Sequence, residues 1–509
     1  MLTGCSGKTP LTTPDLSHNK NIDVPGSGLF RGLAWGNDEV IWDDDVDDEK
    51  NVDISNVVYD FSYGNNVGLI KKAGLYNEYT YTVAVWQEKE QDETKTVWFM
   101  VLYNPGNGKS APMEVDDSSA NVKAAPSVTA FIHRSGDYEY LYISIVYQKL
   151  VEGRWQVWHA RYRQTAPPPG FGFQPVGQPE AIFEDLYVDY KHPDIVYDYD
   201  PYFIGPERLH VVCEQCIGDY EWNIAYKGVN DHVNSVSWDV WLHSIFAGGW
   251  NWRPRIDVGC DNTGFLLNAF GLGSPYYIGV VWQLVRLIPE GNTVDVMYTG
   301  LPSAGAVLVP HAIWLTRADP NEYNVFPNIE IEPIENAGHI RTTFVVWAKA
   351  IYDPQQNDYP TAEMHSLNTF QMKVAWPDWG PSWPPPPTQL FIGDPPGGRN
   401  AFPTFAIKAA GSTTGNLAWL HDEGMGSTYV PVWGGDVNWT PQFIPDNTVS
   451  LNPEPISSGS SSYEPAYIFG PEIAIFNYAN AKCIWTDKEL INGGPPPVYD
   501  FGIHGNTNP

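Results

Sequence analysis

The chain has 509 residues, with 29 Lys and Arg against 60 Asp and Glu, a formal net charge of −31. A surface that acidic repels phosphate backbones and anionic headgroups, so nucleic acid is not expected as a partner, and membrane contact is expected only through an N-terminal lipid anchor. The 46 Gly, 44 Pro, 21 Trp and 29 Tyr, with 17% charged residues, favour short strands between Gly/Pro turns over amphipathic helices, so the fold class reads as all-β.

At the start of the chain, Leu2-Thr3-Gly4-Cys5 followed by Ser6 resembles a bacterial lipobox, which implies acylation of Cys5 and export. The charged and apolar segments that precede such a box are absent from the sequence. Residues 1–28 read as this lipobox-like end and a flexible tether, and residues 29–509 as a single domain. The implied location is the periplasm-facing or outer surface of a bacterial outer membrane. Next comes the densest charge run, Trp42 to Glu49, in which alternate carboxylates Asp43, Asp45 and Asp47 are the candidate ligands of a Ca²⁺ ion. A solvated acidic loop is the competing reading, because the central Gly and the closing Glu of an EF-hand are missing.

From there the chain repeats itself. A proline before a short apolar strand recurs in AAPSVTAF, KHPDIVYD, WRPRIDVG, VFPNIEIE, AFPTFAIK and YEPAYIFG, at Pro126, Pro193, Pro254, Pro327, Pro403 and Pro465. The proline-free NVDISNVVYD near Asp53 stands one step earlier, which makes seven units of about sixty to seventy-six residues. A second strand ends in a large residue: TVAVWQ, ISIVYQ, HVVCEQ, IGVVWQ, TFVVWA, NLAWLH and IAIFNY. A third follows in NIAYKGVN and DVMYTGLP, with KCIWTD as a weaker relative, and a fourth is sketched in WDVWLHSI and HAIWLTRA. Such units predict a seven-bladed β-propeller of four-stranded antiparallel blades, six or eight remaining open because the first unit has no proline marker. LFRGLAW or EVIWDD is expected to complete the last blade beside KCIWTD.

The single C-x-x-C, Cys213 and Cys216, falls inside this pattern. Cys213 holds the slot that Trp86, Tyr147, Trp282, Trp347, Trp419 and Phe476 hold in the other units, a position that packs between neighbouring blades. A redox pair needs a helix N-terminus and a zinc site needs further ligands, and neither is visible. Both cysteines therefore read as inert wall material or as half of a disulfide to Cys260, and Cys483 as a buried thiol.

The order HPDIVYD, LHVVCEQ, WNIAYKGVN, GGWNWRP is similar to the BNR or sialidase-like propeller repeat, and the V-W-Q or V-Y-Q strand endings also resemble the TolB-type repeat. Gly435-Asp436-Val437-Asn438-Trp439-Thr440-Pro441 looks like an eroded Asp-box of the first family, and Gly248 to Trp252 keeps less of it. A catalytic sialidase implies an arginine triad and an early F/Y-R-I-P motif. Phe30-Arg31-Gly32-Leu33-Ala34 lacks the Ile and the Pro.

Two site readings follow. First-strand acids Asp194, Asp257 and Glu330 are placed to face a central channel, where two carboxyls roughly 5 to 10 Å apart would serve glycoside cleavage. The proline-rich stretch carrying Trp376, Trp379 and Trp383 is the candidate aromatic platform for sugars or a protein partner. No nucleotide, hydrolase-elbow or metalloprotease motif is present, so no organic cofactor is expected. The sequence thus points to a non-catalytic interaction or glycan-binding module, a subunit of a cell-surface assembly with a protein or glycan partner. The alternative is a carbohydrate-active hydrolase or lyase.

Overall fold

The computed structural model describes the strands named below together with connecting residues 110–112, 115–117, 122, 152–153, 165, 172, 176–179, 184–187, 218, 249, 315–316 and 318–320. These described residues contain no helix, and the protein is all-β. After β1 (Glu39–Trp42), the first antiparallel meander is β2 (Asp48–Tyr59), β3 (Tyr79–Lys89) and β4 (Lys95–Asn104), edged by β5 (Gly108–Lys109) and β6 (Met113–Glu114). The second is β7 (Lys123–Ser135), β8 (Tyr138–Val151) and β9 (Arg154–Gln164), edged by β10 (Phe173–Pro175) and β11 (Glu180–Phe183). The third is β12 (Val188–Asp198), β13 (Arg208–Ile217) and β14 (Glu221–His232), edged by β15 (Ser235–Val236) and β16 (His243–Ile245).

The fourth meander is β17 (Trp250–Cys260), β18 (Tyr276–Ile288), β19 (Gly291–Pro302) and β20 (Ile313–Trp314). The fifth is β21 (Glu322–Ile331), β22 (Thr342–Ile351), β23 (Ser366–Lys373) and β24 (Thr388–Leu390). The sixth is β25 (Arg399–Ile407), β26 (Thr414–Asp422), β27 (Val430–Asn438) and β28 (Glu454–Pro455). The last is β29 (Glu472–Phe476), β30 (Asn480–Asn492) and β31 (Val498–Asn508).

First strands β2, β7, β12, β17, β21, β25 and β29 lie against one another in that order, and β29 returns to β2. The N-terminal β1 pairs antiparallel with β31, Glu39 opposite Gly505, and supplies the fourth strand of the last meander. Single parallel bridges, Trp222 to Trp250, Val294 to Tyr323 and Asp48 to Phe501, tie the third strand of one meander to the first of the next.

The last unit differs from the expected frame by one strand. IAIF belongs to its first strand, KCIWTD to its second, and VYDFG opens its third. The marker is therefore Pro471, in PEIAIF, rather than Pro465; both precede apolar runs, and only pairing chooses between them. The closing strand EVIW accordingly lies on β31, not beside KCIWTD. The Asp-box relic Gly435 to Asn438 lies inside β27.

The repeated proline has a structural meaning. In five first strands the register slips across the proline, and the preceding residue is left-handed: Ala125 (φ 47), His192 (φ 46), Arg253 (φ 52), Phe326 (φ 57) and Phe402 (φ 51). The same slip occurs between Lys50 and Asp53 in β2 without a proline. Each such bulge costs about 1 to 3 kcal/mol in backbone strain. Side chains one meander back offset it. Gln87 Oε1 accepts from the Ala125 amide at 3.3 Å, Gln148 Oε1 from the His192 amide at 3.0 Å, and Glu214 Oε1 from the Arg253 amide at 2.8 Å. All three acceptors follow directly on the aromatic slot, which explains the final Gln of V-W-Q.

Cores form between meanders, not within them. Tyr147 packs with Val83, Val97 and Phe99 of the first meander, and Trp282 with Val212, Ile224 and Tyr226 of the third. Trp347 does the same with Val281 and Tyr298 of the fourth. Trp282 is fully buried, so its roughly 200 Å² at ~25 cal/mol per Å² stabilise by at most about 5 kcal/mol. Its Nε1 donates to Asn251 Oδ1 at 2.7 Å while Asn251 Nδ2 donates to the Trp222 carbonyl at 2.8 Å, pinning neighbouring meanders together. Asn324 repeats the arrangement with Trp347 and the Val294 carbonyl.

Candidate functional site

Three regions carry chemistry-bearing side chains among the described residues. The first follows the line of the first strands. Asp194, directly after its bulge proline, accepts from Ser127 Oγ at 2.7 Å and from the Ile256 amide at 2.9 Å, with the Arg255 guanidinium 3.9 Å away. Ser127 and Ile256 belong to the flanking meanders, so one buried carboxylate clamps three first strands. Its two oxygens each accept a hydrogen bond from a flanking strand. Asp257 and Glu330 are half-buried, two residues past Arg255 and Asn328 on the same faces of β17 and β21.

The second region is the arc of bulge residues. The fully buried Glu214 lies 2.9 Å from His192 Nδ1, and its other oxygen takes the Arg253 amide. Burial alone would raise the Glu214 carboxyl; the facing His192, the amide of Arg253 and its guanidinium outweigh it and hold the carboxyl below its usual range. The Arg253 guanidinium stands 4.9 Å from the Phe326 ring, and Phe326 rests on Phe402 with centroids 4.0 Å apart. Burial pulls the Arg253 guanidinium down, against the opposing pull of Glu214.

The third region is the seam where the third meander meets the fourth, at the end where β12 and β17 begin. The Trp222–Trp250 bridge brings three half-buried indoles together: Trp222 against Trp252 at 5.5 Å and 60°, and Trp250 on Trp252 at 6.2 Å and 15°. Lys191 holds its ammonium 5.7 Å from the Trp222 ring and has no carboxylate partner among the described residues. The acids nearest in sequence are engaged elsewhere. Asp189 takes the Trp155 amide and faces Arg154, and Glu221 takes Asn223 Nδ2.

Around these indoles gather the large apolar side chains most exposed among the described residues. Leu186 (75%) and Tyr187 (77%) immediately precede Val188, which pairs with Ile217 (40%); Leu287 (55%) closes β18 two residues past Val285, the partner of Trp250. Scattered exposed apolar residues mean little, but four converging on one end beside three indoles define a patch.

The anticipated sites fare differently. Trp376, Trp379 and Trp383, Asp43, Asp45 and Asp47, and Cys5 lie outside the described residues. Cys213 and Cys216 are buried in β13 outside any disulfide, opposite Ala225 and Trp222. The expected disulfide to Cys260 is not formed. Cys216 is level with Trp250 through Trp222, so Cys260 lies ten residues further along β17, about 30 Å at ~3.3 Å per residue. By the same register Cys213 is about 20 Å away, far beyond disulfide reach. Burial, then the neighbouring Glu214, push the Cys213 thiol well above its ordinary value, which makes it unreactive. Among the described residues no group of three or more His, Cys, Asp or Glu is placed to hold a metal ion.

The seam of Trp222, Trp250 and Trp252 was not singled out by sequence reasoning. Its signal was WNW, one residue short of a repeat proline.

No known protein family matches this chain, and no curated protein does. Among solved structures, one of a BT0996 RGII complex shares 9% identity with a TM-score of 0.28, covering 75% of this chain and 87% of that one. An exo-inulinase from Aspergillus awamori shares 8% identity with a TM-score of 0.29, covering 90% and 93%. Both likenesses are too slight to carry an inference.

Proposed function

We propose that this chain is a seven-bladed β-propeller that binds glycan chains without cleaving them, on the end of blades three and four. Support for the architecture is the cyclic order of seven first strands together with the β1–β31 pairing. The observation that carries the function is the convergence of Trp222, Trp250 and Trp252 with the exposed Tyr187, Leu186, Ile217 and Leu287 on one end of adjacent blades. Indole faces suit the C–H faces of sugar rings, and a partly exposed platform suits a polymer lying across it. The best-placed carboxylate for chemistry, Asp194, serves as a clamp between blades.

In this reading Cys5 is an acylated anchor and residues 6–28 a tether to a bacterial envelope, which metabolic labelling with a fatty acid would test. A glycan array run beside a reducing-end assay tests the main claim. Binding without release of reducing ends is expected, with Trp222→Ala and Trp252→Ala weakening binding about 30-fold, as for an aromatic anchor. Release of reducing ends that disappears in Asp257→Asn or Glu330→Gln would establish the hydrolase instead.

A further inference from the structure

We infer that the sugars this seam takes carry a carboxylate, recognised by Lys191; the inference rests on the glycan-binding reading above. The chain is strongly acidic at −31, and five of its described cations meet carboxylates. Lys123 meets Glu114, Lys149 meets Asp116, Arg154 meets Asp189, Arg255 meets Asp194 and Arg286 meets Asp295. Lys191 instead points its ammonium at the face of Trp222 and meets no carboxylate among the described residues. An ammonium held half-buried over an indole, unpaired among so many acids, is suited to receive an anion.

The repeat makes the placement specific. Counted back two from the bulge proline, the units hold Ala124, Lys191, Trp252, Val325 and Ala401. Three are small or aliphatic, whereas neighbouring units three and four put a cation and an indole at the same level on either side of Trp222. A pyranose stacked on the neighbouring Trp252 would project a C5 carboxylate beyond its ring edge toward Trp222, over whose face the Lys191 ammonium stands. Glu214 stands 2.9 Å from the neighbouring His192, whereas Lys191 meets no carboxylate among the described residues.

The test measures affinity for polygalacturonate, for its methyl ester and for neutral galactan at about 150 mM NaCl, a salt level that leaves close charge pairs only partly screened. The proteins are wild type, Lys191→Gln, Trp222→Ala and the control Arg163→Gln, which removes a cation resting on Tyr140 in blade two. Polygalacturonate is expected to bind at least tenfold more tightly than its ester, a preference lost in Lys191→Gln and kept in Arg163→Gln. Equal affinity for acid and ester, a preference that survives Lys191→Gln, or binding of galactan alone would overturn the inference. In those three cases loss of the remaining binding in Trp222→Ala leaves the glycan-binding reading standing. Binding of none of the three polymers, with a blank array, would sink both.

Discussion

The line of the first strands and the seam between the third and fourth meanders are built from the same strand, a few residues apart, yet they treat polar groups in opposite ways. Just after the bulge prolines the residues are Ser127, Asp194, Arg255, Asn328 and Thr404, all polar, and Asp194 meets donors on both sides. Two residues before the same prolines, polarity vanishes except at Lys191, whose ammonium stands over an indole and meets no carboxylate among the described residues. Polar residues just past the prolines tie neighbouring first strands together; at the seam Lys191 meets no carboxylate among the described residues. A repeat protein shows function where one copy departs from what the others need.

That contrast is broken most severely by Asp194→Ala. It leaves the Ser127 hydroxyl and the Ile256 amide buried without their acceptor, and urea unfolding is expected to show a loss of about 4 kcal/mol. A loss below about 1 kcal/mol would mean the first strands are not clamped. Next is Asn251→Ala, which strands the Trp282 indole N–H and the Trp222 carbonyl and should cost about 2 kcal/mol by the same measurement. Trp222→Ala, at the half-buried seam, is expected to cost about 1 kcal/mol of stability while losing most of the binding, the reverse of Asp194→Ala.

A smaller effect concerns pH. Burial, then Arg161, hold His159 well below its ordinary 6.5, so the unfolded chain takes up a proton that the folded one refuses. Stability from this group is present above about 6.5 and is lost as pH falls below it. Glu214 acts further down: its carboxyl lies below the ordinary 4.5, so its contribution is present above that value and lost as pH falls through the lower folded one. Urea midpoints at pH 7.5, 5.5 and 4 should fall in that order, and His159→Gln should flatten the first step. The smallest effect is at Cys213 and Cys216: a variant with both changed to Ala should show the same native reaction with a thiol reagent as wild type, with the difference emerging only on unfolding.

Much of the architecture was legible because its signals are local. Alternating apolar strands, the proline at five of the bulges and the recurring slot of mostly aromatic residues sit close together in sequence, so Tyr147, Cys213, Trp282 and Trp347 could be placed between units from sequence. The last unit was misframed because Pro465 and Pro471 both precede apolar runs, and the pairing that separates them is not local. Left-handed conformations at His192 and Arg253 were also illegible, since a residue before proline ordinarily prefers extended backbone. The seam was missed for a similar reason. Trp222 and Trp250 are 28 residues apart, and a single parallel bridge joins them. The expected link from Cys213 or Cys216 to Cys260 failed on register, which sequence spacing does not reveal.

The most direct measurement is calorimetric titration of the wild type and a Trp222→Ala/Trp252→Ala double variant with an oligosaccharide that scores on the array. Saturable binding by the wild type, and none detectable in a double variant that still unfolds cooperatively, is the predicted result. Equal binding by the two proteins would contradict the account.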